Sequence, residues 1–140
     1  MTEVDLYNLA PIFQLMAVGL AVAALPLAWW FWRQRSATPA SRLKALTLIT
    51  LFLTFDLVLF GAFTRLTDSG LGCPDWPGCY GHASPVGAQS AIALEQSQMP
   101  HGPVTHTKAW IEMIHRYMAM AVGGLILTLA AFAWVRRWRS

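Results

Sequence analysis

Glu112 and His115 are the two residues of this sequence whose types and spacing are best suited to chemistry. Residues three apart project from the same side of an α-helix, so the carboxylate and the imidazole are expected to share one face. Ala119 and Gly123 continue that face with almost no side chain. This pattern favours a haem site, because iron binds a neutral imidazole and the macrocycle packs against close apolar walls. The alternative is that His115 is an amphipathic anchor near a membrane surface.

Asp56 is a second candidate, because it lies inside an apolar stretch that runs from about Ala45 to Thr64. A carboxylate in the hydrocarbon layer is costly unless it is protonated or paired, and such residues are often functional. We interpret Asp56 as a candidate for substrate, proton or helix-pairing chemistry. The alternative is a hydrogen-bonded residue that fixes helix packing.

Cys73 and Cys79 lie in a stretch rich in glycine and proline, which excludes regular secondary structure. Their spacing allows them to close a small ring on the oxidising side of a membrane, so we interpret them as a structural disulfide. A reversible dithiol that reacts with a redox partner is the alternative. Histidines 82, 101 and 106 lack the close spacing of metal ligands, and we expect them to be solvated.

The composition is typical of a membrane protein. Hydrophobic residues make up 56% of the chain and charged residues 12%, with a mean hydropathy of +0.45. These values are too apolar for a soluble domain of this size. The net charge of +3 could suggest nucleic acid, but the basic residues flank apolar runs, so we expect no nucleic-acid partner.

Three apolar segments are long enough to cross a bilayer, which takes about 20 helical residues. They are Leu6–Trp32, Ala45–Thr64 and Thr107–Val135. The predicted fold is therefore an all-α polytopic membrane helix bundle with three transmembrane helices. A long external loop joins the second and third helices, with one short surface helix from about Gly87 to Gln98. Thr107 is expected to cap the third helix.

The positions of lysine and arginine predict the topology. The linker Arg33–Lys44 carries four of these residues and no acid, and its serine, threonine and proline residues predict a break between helices. Three more arginines follow the last apolar segment, at positions 136, 137 and 139. By the positive-inside rule the linker and the carboxyl terminus are cytoplasmic and the amino terminus is external. We expect a multi-pass protein of a bacterial-type inner membrane.

Two motifs carry a family likeness: GAFTRLTDSGLGCPDWPGCYG at Gly61–Gly81, and EMIHR at Glu112–Arg116. Together they resemble the haem A synthase family, also known as cytochrome oxidase assembly proteins, over about residues 50 to 137. Enzymes of that family oxidise the C8 methyl of haem O to the formyl of haem A for terminal oxidases. The resemblance implies the same haem-dependent oxidoreductase activity here.

The resemblance also implies roles for individual residues. His115 would be an axial ligand to the iron of a haem b, and Glu112 would be a catalytic or substrate-positioning acid beside it. The alternative for Glu112 is a hydrogen bond to a loop amide. Arg116 and Arg65 lie at the outer interface, where the propionates of a membrane haem emerge, so each could pair with them. Snorkelling to the interface is the alternative for both arginines.

The same likeness identifies Cys73 and Cys79 as the family's loop disulfide. Haem O would be the substrate, and haem O synthase and an electron donor would be partners. Two other functions remain open: a b-type haem subunit that carries electrons, and a membrane thiol-disulfide oxidoreductase that uses the two cysteines.

The sequence departs from the family pattern in two ways. Residues 1–44 form an additional amino-terminal helix and linker, whereas residues 45–140 match the family segment. The family has eight core helices in two similar halves, and this chain stops after the equivalent of the second. The chain therefore resembles an amino-terminal portion of such an enzyme or a shortened relative, completed by a carboxyl-terminal half or by oligomerisation. Because His115 is the one histidine inside the predicted membrane helices, we expect the chain alone to bind haem weakly and not to convert haem O.

Overall fold

The computed structural model describes residue 17 and residues 28–138. It contains helices α1 (Pro39–Leu66), α2 (Gln89–Gln98) and α3 (His106–Trp138), and residues 28–33 are also helical. The described residues form no strand beyond an isolated bridge between Cys79 and His82. The all-α prediction is confirmed for this part of the chain. Most of the first predicted span, Leu6–Trp32, lies outside the described residues.

Helix α1 begins at Pro39, earlier than the predicted Ala45. Thr38 has an extended backbone and its hydroxyl accepts a hydrogen bond from the Ser41 amide, which caps the helix. Proline suits the first helical position because its fixed φ matches the helix and its missing N–H would have no partner there. The predicted break therefore ends at Thr38, and Arg42 lies on the helix.

Helix α1 contains four threonines whose hydroxyl groups form hydrogen bonds within the helix. Each hydroxyl donates to the carbonyl four residues earlier, over 2.7–2.9 Å, at positions 47, 50, 54 and 64. Internal bonds of this kind let a hydroxyl lie in an apolar environment without another partner. These threonines are therefore compatible with a membrane-spanning helix.

Helix α3 begins at His106, and its cap differs from the predicted one. The hydroxyl of Thr105 accepts from the Lys108 amide over 3.2 Å, so Thr105 rather than Thr107 satisfies the first turn. Arg136 and Arg137 lie in the last turn, where positive charge interacts favourably with the helix dipole.

Helices α1 and α3 are long and apolar enough to cross a membrane. Their most apolar 18-residue windows have a mean hydropathy of 2.1, and only 11% and 6% of those windows is buried. Such low burial differs from the core helix of a soluble protein, whose apolar face is covered. The described part of the chain thus contains two candidate spans that pack against each other.

A buried hydrophobic cluster lies where the loop between α1 and α3, together with α2, covers the amino-terminal part of α3. Seven buried residues form this core: Cys73, Cys79, Ala88, Ile92, Val104, Ala109 and Met113. The long helices leave most of their apolar side chains exposed. The buried core therefore fixes the loop on α3, next to Glu112.

Candidate functional site

Gly72 brings the loop into direct contact with the backbone of α3. A Cβ atom at this position would lie 2.5 Å from the carbonyl carbon of Lys108 and 2.6 Å from the nitrogen of Ala109. No side chain larger than a hydrogen fits at these distances. Gly72 therefore sets how closely the following cysteine approaches the helix.

Cys73 and Cys79 form a disulfide, with sulfurs 2.09 Å apart and Cα atoms 4.9 Å apart. The pairing agrees with the prediction from the sequence. Cys73 is 4% exposed and Cys79 is fully buried, so both sulfurs are covered by the loop and α3. Thiol exchange requires access to a sulfur atom, and burial restricts that access.

Glu112 joins this loop to α3 through both of its carboxylate oxygens. Oε2 accepts from the Cys73 amide over 2.8 Å, and Oε1 forms an ion pair with Arg116 Nη2. Arg116 Nη1 donates to the carbonyls of Asp75 and Gly78, each over 2.7 Å. Glu112 is only 6% exposed. We call Cys73, Asp75, Gly78, Glu112 and Arg116 the loop latch.

Asp75 also shapes the loop from within. Its carboxylate accepts from the amides of Tyr80 and Gly81, over 2.5 and 2.7 Å. Both of these residues have positive φ angles, which cost energy for tyrosine but not for glycine. Burial raises the pKa of the Tyr80 hydroxyl, and the negative charges of Glu95 and Asp75 raise it further. Tyr80 therefore remains protonated at neutral pH.

Two further contacts attach the loop to α3. The Tyr117 hydroxyl donates to the Ala83 carbonyl over 2.5 Å. Lys108 Nζ lies 3.3 Å from an Asp68 carboxylate oxygen and 3.2 Å from the Gly102 carbonyl. The Asp68 side chain is 89% exposed, so this ion pair is weak compared with the buried pair of the loop latch.

His115 contacts α1 rather than the loop. A Cβ atom on Gly61 would lie 2.9 Å from His115 Nε2, so the imidazole occupies the space that a larger side chain at position 61 would need. The imidazole also stacks with the Phe60 ring, with centroids 6.3 Å apart and planes 20° apart. His115 therefore joins α3 to α1 at Gly61, and its imidazole is the type of side chain that ligates haem iron. On the shared face of α3, Glu112 thus contacts the loop and His115 contacts α1.

The other residues predicted to hold haem have different surroundings. Gly123 has no atom within 4 Å of a would-be Cβ, so the small-residue face of α3 is open at that level. Arg65 is exposed, and its guanidinium forms no hydrogen bond or ion pair with the residues that the structure describes. Arg116, in contrast, is committed to the loop latch. Arg65 is therefore the more available partner for a propionate.

Asp56 is half-buried on α1 and has no polar partner within residues 28–138. Its predicted role in substrate, proton or helix-pairing chemistry stays a prediction. The described residues also contain no group of three or more histidine, cysteine or acidic side chains placed to hold a metal ion.

Sequence reasoning missed three contributors to the site. Gly61 and Gly72 belong to the first motif, and each allows a close contact with α3. Asp75 belongs to the same motif, and its carboxylate accepts from two backbone amides. An acid followed by proline and glycine is a known turn signal, so the role of Asp75 could have been anticipated. The glycine contacts depend on tertiary packing and left no local signal.

Comparison with known families adds independent information. The family model described as "Cytochrome oxidase assembly protein" matches residues 44–140. A protein named haem A synthase from Shewanella oneidensis is 49% identical over 81 residues, which cover 58% of this chain and 24% of that protein. The haem A synthase of Allorhizobium ampelinum is 31% identical over 131 residues, covering 85% of this chain and 35% of the relative.

A third relative, the haem A synthase of Sinorhizobium medicae, is 34% identical over 98 residues. The aligned residues make up 62% of this chain and 27% of the relative. The chain therefore spans about a quarter to a third of the length of the curated relatives it matches. No solved structure matches the chain significantly.

Proposed function

Because the chain belongs to the cytochrome oxidase assembly protein family, we propose that it acts in haem A synthesis, in the oxidation of the C8 methyl of haem O to the formyl of haem A. The observation that carries this proposal is the placement of His115. Its imidazole packs against Gly61 of α1, on a helix long and apolar enough to span a membrane. The first motif supplies that glycine and the second supplies the imidazole, so the fold joins the two motifs at one point.

His115 would hold the iron of a haem b through its imidazole, and the lack of a side chain on Gly61 lets that ring lie against α1. When bound, the haem would supply the oxidising chemistry, which no protein side chain provides. The imidazole packs against Gly61 and lies next to the Phe60 ring, so packing orients it before any ligand arrives. An oriented ring loses less conformational entropy when it binds a metal.

Arg65 would pair with a haem propionate, since a guanidinium binds a carboxylate with two parallel hydrogen bonds. It lies one helical turn beyond Gly61, near the end of α1. Its position therefore suits a carboxylate that emerges above the iron ligand.

Glu112 and Arg116 are best explained as positioning residues. One oxygen of Glu112 accepts from the Cys73 amide and the other pairs with Arg116. The carboxylate therefore holds the disulfide loop against α3, one helical turn before His115. A direct catalytic role for Glu112 would require the carboxylate to give up one of these bonds when substrate binds. That role stays a prediction from the family likeness, as does propionate binding by Arg116.

The disulfide supports a structural role for Cys73 and Cys79. A thiol-disulfide oxidoreductase presents an accessible sulfur to its partner, whereas both sulfurs here are buried. We therefore favour haem A synthesis over the thiol oxidoreductase. Haem O synthase and an electron donor are the partners that this function would need.

The topology that we propose has the loop latch outside and the positive ends of α1 and α3 in the cytoplasm. Arg42 and Lys44 lie near the start of α1, and Arg136 and Arg137 lie near the end of α3. Four cations are therefore at the same end of the helix pair. The disulfide lies at the opposite end, which suits an oxidising compartment. The membrane is proposed to be a bacterial-type inner membrane.

The function can be tested in the organism that encodes the chain. His115→Ala is introduced at the native locus, and the haems extracted from membranes are separated and identified by mass spectrometry. The proposal predicts loss of haem A and accumulation of haem O, because the iron ligand is missing. Unchanged haem A together with loss of a b-type haem spectrum would instead indicate an electron carrier. Unchanged haems of every type would contradict a haem function.

A further inference from the structure

A groove with apolar walls and a cationic rim lies at the end of the helix pair opposite the loop latch. It is formed by residues 28–33, the start of α1 and the end of α3, and its volume is about 530 Å³. This volume lies within the range of small-molecule sites in proteins. Six apolar residues line it: Trp30, Phe31, Leu43, Leu46, Phe132 and Val135.

The charged residues that line the groove are both cations, Arg42 and Arg136. Arg42 is fixed in position, because Nε donates to the Gln34 carbonyl over 2.9 Å and Nη2 donates to the Arg35 carbonyl over 2.6 Å. No acidic residue occurs in the described segments 28–50 and 122–138, so within these segments the groove is lined by positive charge alone. The groove therefore favours an anionic group.

Two other features of the lining favour an acceptor group. Pro39 lines the groove at the first turn of α1, where the helix dipole places partial positive charge. Trp30 is 9% exposed, and its buried indole Nε1 has no hydrogen-bond acceptor among the described residues. A buried indole N–H normally has a partner. Trp30 thus contributes to the groove wall an indole N–H that donates to none of the described residues, in addition to the two guanidinium groups.

We propose that this groove binds an anionic phospholipid. The phosphate would lie against Arg42 and Arg136, and one acyl chain would follow the apolar wall past Leu46 and Phe132. A lipid fits better than a soluble anion because Phe132 and Val135 remain half exposed and continue the apolar surface of α3 into the bilayer. Cytoplasmic leaflets contain anionic lipids that interact with clusters of lysine and arginine. The site does not depend on haem binding, so its failure would leave the proposed function intact.

The proposal is tested by native mass spectrometry of the purified chain in a neutral detergent. Phosphatidylglycerol and phosphatidylcholine with identical acyl chains are added in equal amounts, and the lipid retained by each protein ion is counted. The chain is expected to retain phosphatidylglycerol preferentially. Arg136→Gln should weaken its retention about tenfold, because a charge-assisted contact to the phosphate is lost. Arg136 is used rather than Arg42, whose side chain also holds the preceding turn.

Lys44→Gln is the matched control, since it removes one exposed cation from the same end of α1 but does not line the groove. It should retain the lipid as the unchanged chain does. Val135→Trp provides a second test, because it fills the groove and leaves every charge in place. This variant should lose phosphatidylglycerol.

Three results would overturn the proposal. Equal retention of the two lipids would show that the phosphate charge is not recognised. Equal losses in Arg136→Gln and Lys44→Gln would show that net charge, rather than the groove, attracts the lipid. Full retention by Val135→Trp would show that the lipid lies elsewhere.

Discussion

Glu112→Ala should release the disulfide loop from α3. The side chains of Glu112 and Arg116 are 8% and 15% exposed, so their ion pair is largely shielded from water. Removing one partner of a buried pair costs roughly 3–5 kcal/mol. Arg116 keeps its bonds to the carbonyls of Asp75 and Gly78, so we expect the lower end, about 3 kcal/mol. At ~1.4 kcal/mol for each factor of ten, the open loop becomes about 150-fold more populated.

The rate at which Cys73–Cys79 is reduced measures this opening. Both sulfurs are buried, so a water-soluble phosphine reaches them mainly when the loop has left α3. If opening and closing are fast, the reduction rate follows the population of the open state. The purified chain is exposed to phosphine, the new thiols are alkylated at intervals, and the modified protein is counted by mass spectrometry.

Asp68→Asn is the control, because it breaks the other ion pair between the loop and α3. That pair joins Asp68 to Lys108 over 3.3 Å, and the Asp68 side chain is 89% exposed. An exposed pair contributes at most about 1 kcal/mol, so reduction should accelerate no more than about fivefold. Equal acceleration by Glu112→Ala and Asp68→Asn, or none by Glu112→Ala, would refute the loop latch.

Three other predictions concern the loop and the topology. Gly72→Ala should accelerate the reduction of the disulfide, because the added Cβ would lie 2.5 Å from the α3 backbone. Gly70→Ala should not, because a Cβ at that position would have no atom within 4 Å. Thiol labelling of freshly isolated membranes without reductant should modify neither cysteine. Quantitative labelling of both would contradict the disulfide. A reporter fused at Gln96 should be external and one fused after α3 should be cytoplasmic; a cytoplasmic signal from Gln96 would reverse the topology.

The helices could be predicted because their signal is local. Long apolar runs identified α1 and α3, and the composition excluded a soluble domain of this size. The predicted start of α1 was wrong because serine and threonine can cap a helix as well as break one. Thr38 in fact caps the helix and Pro39 occupies its first turn, so the same residues that end a loop also begin the helix.

The contacts of the candidate site were harder to predict, because they join distant parts of the chain. Spacing on α3 correctly placed Glu112 and His115 one turn apart, but it did not show what each would contact. Glu112 bonds to Cys73, 39 residues away, and His115 packs against Gly61. Helical periodicity identifies a face, whereas the neighbour of that face depends on the fold of the loop and on the packing of α1.

Haem binding by His115 is the central claim, and an absorption spectrum tests it most directly. The chain, His115→Ala and His106→Ala are purified in one detergent, mixed with equal amounts of haem and compared at matched protein concentration. His106 lies on the same helix, about 13 Å closer to its start, and serves as the histidine control. We expect the chain and His106→Ala to show the same ligand-bound haem spectrum and His115→Ala to lose it. A full haem complement in His115→Ala would contradict the account.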